Sequence, residues 1–214
     1  MAPPPPTHFD RDEREVEFSR ALAFSDGVFG IAITLLVVSI DVPDLRGGDL
    51  EGELVDALRD LLPSLASYFL SFAAIGLFWL RHHRLFSRIR RLDTLALCIN
   101  LVLLAFIALM PFSTEIIGRY GDEPIAVSVY ALNLAVAAAA YTWLWFHCTR
   151  AGLLDEDVAP SEMRAELAAR SVVSLGFLAS IPIAYALSPS AAQWFWIVPV
   201  LVQAPLARRY APRG

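Results

Sequence analysis

Apolar residues run through this chain in long blocks, parted by short stretches that hold nearly all of its charge. About 20 mostly apolar residues carry a helix across a bilayer. Six blocks reach that length, at roughly 18–41, 63–85, 92–117, 124–148, 167–187 and 191–209, and they predict an all-α integral membrane protein with six spans. The first block stops ahead of Asp41-Val42-Pro43-Asp44, because proline turns the residue before it away from helix. Residues 50–62 predict a short amphipathic helix outside the bilayer, and Pro63 opens the second span. Pro111 and Pro182 fall inside spans three and five, where membrane helices tolerate them. Ser188-Pro189-Ser190 makes a tight turn between the last two. Residues 1–17, Pro-rich and then charged, read as a disordered cytoplasmic tail. Residues 18–209 read as one transmembrane domain, and 210–214 as a short cytoplasmic tail.

Charge gives the predicted spans a direction. All seventeen basic residues are arginine. With both termini cytoplasmic, the inner segments hold Arg11, Arg14, Arg20, Arg81, Arg84, Arg88, Arg90, Arg91, Arg150, Arg164, Arg170, Arg208, Arg209 and Arg213. The outer segments keep only Arg46, Arg59 and Arg119. Positive residues favour the inside, so this asymmetry predicts both ends in the cytoplasm of a multi-pass plasma-membrane protein. Composition agrees: 57 % of residues are apolar and 18 % charged, against about half and a quarter in soluble domains. The arginines sit at span ends and form no basic stripe, which excludes a nucleic-acid surface. Two cysteines, Cys98 and Cys148, make no disulfide framework. Richness in Ala, Arg, Pro and Gly suits a GC-rich bacterial genome. Most of the Trp and Tyr residues, among them Tyr130, Tyr141, Trp145 and Trp196, lie near predicted span ends and read as an interfacial belt.

The start of the first span is unusual. In "RALAFSDGVFGIAITLLVVSID" (20–41) an Arg, a Ser and an Asp front an almost unbroken apolar run. At 100° per residue, Gly27, Ile31, Thr34, Leu35 and Val38 share one stripe, while Asp26 is turned about 100° from Gly27 toward a neighbouring helix. An ionisable residue in a span is a functional candidate when a partner can be named. Candidate partners are Arg20, the cluster Trp79, Arg81, His82, His83 and Arg84 at the inner end of span two, and Asn100 in span three. Joined, these groups would tie spans one to three through a buried polar network. The alternative is an Asp26 hydrated at the surface.

"RALAFSDGVFGIAITLL" resembles the prokaryotic members of the transmembrane protein 175 family of potassium channels. Arg20, Phe24, Ser25, Asp26 and Gly27 match that family's hallmark at the head of its first helix, and "FWLRHHRLF" at 78–86 is similar to the end of its second. The resemblance implies a homotetramer of six-helix subunits with a central pore lined by the first helix. It implies that Ile31 forms the narrowest ring, with Leu35 and Val38 beyond it and Thr34 offering a hydroxyl to the ion. Arg20, Phe24, Ser25, Asp26, Gly27, Trp79, His82, His83 and Asn100 become the scaffold that holds the pore helix. The permeant ion is potassium, the partners are the lipid bilayer and further copies of the chain, and no cofactor or metal is expected. An apolar neck of this kind gates by dewetting and selects weakly.

Three other readings compete. Asp26 could relay protons in a proton-coupled secondary transporter. His82, His83 and His147 could serve a membrane enzyme, although metal or hydrolase sites need ligands that converge in space. A membrane protein with no pore is the third. "GRYG" at 118–121 lacks the sequence and the pore helix of a carbonyl filter and reads as an outer loop.

Overall fold

The computed structural model of the chain describes residues 8–40, 50–155 and 158–199. It is helical throughout, and the described residues contain no strand beyond one isolated bridge. The elements are α1 (His8–Leu35), continued by a 3-10 turn Leu36–Ser39, then α2 (Leu50–Asp60), α3 (Leu62–Phe86), α4 (Thr94–Ala108), α5 (Met110–Tyr120), α6 (Pro124–Arg150), α7 (Pro160–Ala186) and α8 (Pro189–Phe195). Five stretches are long and apolar enough to cross a membrane: Val16–Val38, Leu62–Phe86, Thr94–Tyr120, Pro124–Arg150 and Glu162–Ala186.

Two expectations about where helices begin and end change. Residues 8–17, read as part of a disordered tail, belong to α1. The prolines end at Pro6, ahead of the helix. The third span runs as helical backbone through Thr94–Tyr120, with one gap in its hydrogen-bond ladder near Leu109, where α4 passes into α5. Pro111 has no N–H to bond back along α4, which is sufficient reason for the interruption. Arg119 and Tyr120, read as outer loop, end α5, where Arg119 pairs with Glu115 at 3.0 Å. The sixth span and residues 210–214 lie wholly or partly outside the described residues.

The central element is α6, whose packing against α7 and α4 is the most extensive among the described elements. Its buried face carries Ala126, Ala131, Ala135, Ala137, Ala138 and Ala140, and small side chains let membrane helices approach closely. Tyr130, Tyr141, Trp145 and Trp196 are buried rather than interfacial. Trp143 and Trp194 stay more than half exposed, as a belt requires.

The arginine-rich ends of the helices meet at one end of the bundle. There the α3–α4 connection pairs with the α6–α7 connection through an antiparallel bridge between Ile89 and Leu154. The Arg90 amide donates to the Leu153 carbonyl at 2.9 Å, and the Asp155 amide to that of Arg88 at 2.8 Å. The Arg90 guanidinium also donates to the Asp155 carboxylate at 2.6 Å.

Candidate functional site

The two sides of α1 and its 3-10 extension differ. Ser25, Phe29, Ala32 and Leu36 follow at spacings of four, three and four, which is one helix face, and all four are buried. On the far side Ile31 is 62 % exposed and Val38 72 %. Gly27, Thr34 and Leu35 are exposed beside them. A Cβ built on Gly27 would meet nothing within 4 Å, so no neighbour in this chain requires glycine there.

On the buried face, donors and acceptors run in one direction. Ser25 Oγ donates to the Ala21 carbonyl at 2.9 Å. With its proton committed, the same oxygen accepts from Asn100 Nδ2 at 3.0 Å. That fixes the amide, whose Oδ1 lies 2.9 Å from His82 Nε2 and can only accept. His82 therefore carries its proton on Nε2, and its buried Nδ1 has no hydrogen-bond partner. The His82 ring stacks on Phe86 at 4.0 Å and meets Phe29 at 5.4 Å. One relay thus ties α1, α3 and α4 at a single level.

Asp26 belongs to a separate group. Its Oδ1 accepts from the Trp79 indole N–H at 2.9 Å, and both residues are exposed. Trp79 also stacks on His83 at 5.6 Å. Arg20 and Phe24 remain exposed, and Arg20 makes no hydrogen bond or ion pair among the described residues. So the scaffold residues read from the sequence divide into a buried relay of Ser25, Asn100 and His82 and a surface group of Asp26, Trp79 and His83. Arg20 joins neither.

A second buried polar cluster, toward the other end of the bundle, escaped the sequence reading. Tyr130 Oη and Ser71 Oγ share a hydrogen bond of 2.9 Å, and Thr114 Oγ1 lies 2.7 Å from the same Ser71 oxygen. Ser113 and Thr114 direct their hydroxyls at the Met110 carbonyl beside Pro111. Asn133 Nδ2 donates to Ser113 Oγ at 3.1 Å, while its buried Oδ1 has no partner. The only advance signal was a scatter of hydroxyls in apolar spans, with no regular spacing.

The three histidines do not converge. His147 Nε2 lies 2.9 Å from Asp93 Oδ2, apart from His82 and His83. No group of three His, Cys, Asp or Glu side chains gathers as metal ligands among the described residues. Asp93 caps α4, accepting from the Ala96 amide at 2.7 Å. Partial desolvation alone would raise the Asp93 carboxyl, but that amide, the His147 ring and the Arg91 charge together hold it below the ordinary carboxylate range.

Known proteins resemble this chain in sequence and fold. The family model described as "Endosomal/lysosomal potassium channel TMEM175" matches residues 20–111, the stretch that contains the relay. A protein from Streptomyces collinus named as a potassium channel is 38 % identical over 178 residues, 81 % of this chain and 85 % of that one. Another so named, from Chamaesiphon minutus, is 40 % identical over 141 residues, 64 % of this chain and 69 % of that one. The crystal structure of a lysosomal potassium-selective channel TMEM175 homolog from Chamaesiphon minutus matches with a TM-score of 0.66 at 32 % identity. That match covers 92 % of this chain and 99 % of the other. With the likeness running through sequence and fold alike, this chain belongs to the TMEM175 family of ion channels, and its family is not one of enzymes.

Proposed function

We propose that the chain is one subunit of a potassium-permeable, weakly selective cation channel of the plasma membrane. Four copies of α1 surround a common axis, the described and undescribed parts together make six spans, and both termini face the cytoplasm. One observation carries this reading: α1 is anchored along Ser25, Phe29, Ala32 and Leu36 and bare along Ile31, Thr34, Leu35 and Val38. The relatives named as potassium channels supply the ion.

In such an assembly four Ile31 side chains make an apolar neck, with Leu35 and Val38 widening it outward. Water and ions leave an apolar constriction unless the helices part slightly, so small movements gate it. Thr34 donates its hydroxyl proton to the Ile31 carbonyl at 2.9 Å, which leaves its oxygen lone pairs for a passing cation. Potassium sheds water more readily than sodium, which accounts for a preference without a ring of carbonyls. Ser25, Asn100 and His82 hold the helix at its working tilt and stay out of the ion path.

The test is current through bilayers that contain only the purified protein. Ile31→Asn wets the neck, and the expected result is a severalfold larger leak with a blunted preference for potassium over sodium. Unchanged conduction would remove Ile31 from the constriction. Saturable flux coupled to protons, abolished by Asp26→Asn, would replace the channel with a transporter.

A further inference from the structure

His147, in the last turn of α6, meets Asp93 at the head of α4, and neither takes part in the relay that holds α1. The His147 Nε2 lies 3.0 Å from Asp93 Oδ1 and 2.9 Å from Oδ2, so it points between the two oxygens. A bare lone pair there would face a carboxylate, so the neutral ring keeps its proton on Nε2. A second proton, taken at Nδ1, turns that neutral bond into an ion pair. Charge-assisted bonds are roughly twice as strong as neutral ones, and histidine is the side chain that ordinarily changes charge between about pH 5 and 8. Water reaches the pair, since the two side chains are 17 % and 41 % exposed.

The charged groups of the elements packed around the pair keep their charge across that range. Arg91 stands two residues before Asp93, and Arg90 is held by Asp155 at 2.6 Å. On α6, Arg150 lies over Phe146 at 6.0 Å, and Cys148 is a buried thiol. On α7, Arg170 is paired with Glu166 at 3.1 Å. His83 stacks on Trp79, which bonds to Asp26 of α1, and so belongs to another side of the bundle.

What the pair grips is the helix that carries Asn100. Asp93 caps α4 through the Ala96 amide at 2.7 Å. Asn100 lies seven residues further on, about two turns along and on the same face. There it donates to Ser25 of α1 at 3.0 Å. Because α4 packs on both α6 and α1, a tie at its head bears on the tilt of α1 through one rigid element.

We propose that His147 and Asp93 form a proton-sensitive latch at the arginine-rich end, and that acid on that side braces α4 against α6 and lowers conduction. The effect on current rests on the channel reading above, in which an apolar neck conducts only when helices part. The latch itself belongs to the single chain.

Hydrogen exchange of the full chain reads the latch without any current. With intrinsic rates divided out, protection at the head of α4, the Ala96 amide included, is expected to be about two- to fivefold greater at about pH 5.5 than at about pH 7.5, the range of a partly exposed ion pair. His147→Gln still offers Asp93 a neutral N–H and is expected to fold and to lose that difference. Patch currents, with each side acidified in turn, read the consequence. Acid at the arginine-rich side is expected to lower the parent's current by a similar factor and to leave that of His147→Gln unchanged. Equal protection at both pH values in the parent, or a difference that survives in His147→Gln, would overturn the latch. Acid-dependent protection beside a current that acid on that side raises or leaves alone would overturn its hold on α1. A parent that passes no current at any pH would sink the channel reading instead, and exchange alone would then decide the latch.

Discussion

Asn100 serves two partners at once. Replacing it with leucine strands the Nε2 proton of His82 and removes the donor to Ser25, all inside the buried face of α1. Interhelical hydrogen bonds in membrane proteins contribute about 0.6 kcal/mol each on average and up to about 1.7. Asn100→Leu is therefore expected to cost about 1–3 kcal/mol, and Ser25→Ala about half of that, because only one interhelical bond is lost. Thermal unfolding midpoints of the two variants in detergent check the ordering. Equal shifts would mean that the His82 bond contributes nothing. The exposed pair of Asp26 and Trp79 was named in the sequence but not separated from this relay. Hydropathy marks which groups are polar in an apolar run, whereas their division into two clusters depends on how three helices rotate against one another.

At the scale of elements, Asp93 caps α4 and ties it to His147 at the end of α6. Its carboxyl is depressed in the fold, so its stabilising effect is fully present above the ordinary carboxylate value. The effect fades as pH falls through that value toward the lower folded one. Stability from this source is thus expected to be level between about pH 7 and 5 and to decline only below about 4, within the carboxylate range. Asp93→Asn should flatten that decline, which melting curves across pH would show. Losing an N-cap altogether, as in Asp93→Ala, costs about 1 kcal/mol. The helices themselves were largely legible. Blocks read at 63–85 and 124–148 became Leu62–Phe86 and Pro124–Arg150 within two residues at each end, because hydrocarbon thickness sets their length. The span at 92–117 held as Thr94–Tyr120 with Pro111 inside it, the ring costing one ladder bond and not the helix. Burial of Tyr130 and Trp196 was illegible: the two rings lie 5.1 Å apart, and that contact depends on α8 folding back onto α6.

Among the described residues α1 is held from one side. Its partners are α3, α4 and α5, and Phe24, Ile31, Leu35 and Val38 face away from all of them. Lipid tails can cover such a strip, so exposure alone does not compel assembly; shape-matched packing between copies must supply the drive. Mass photometry of the purified protein in detergent is expected to find particles of four chains. A stable population of single chains under conditions that retain conduction would defeat a pore shared between subunits. The bridge between Ile89 and Leu154 bears on how the protein can be handled. Connections between elements are the customary places to splice in a reporter. Here the two connections at the arginine-rich end are laced to each other, so an epitope inserted after Arg88 or Leu153 would unfasten both hairpins together, and a labelled chain must carry its tag elsewhere.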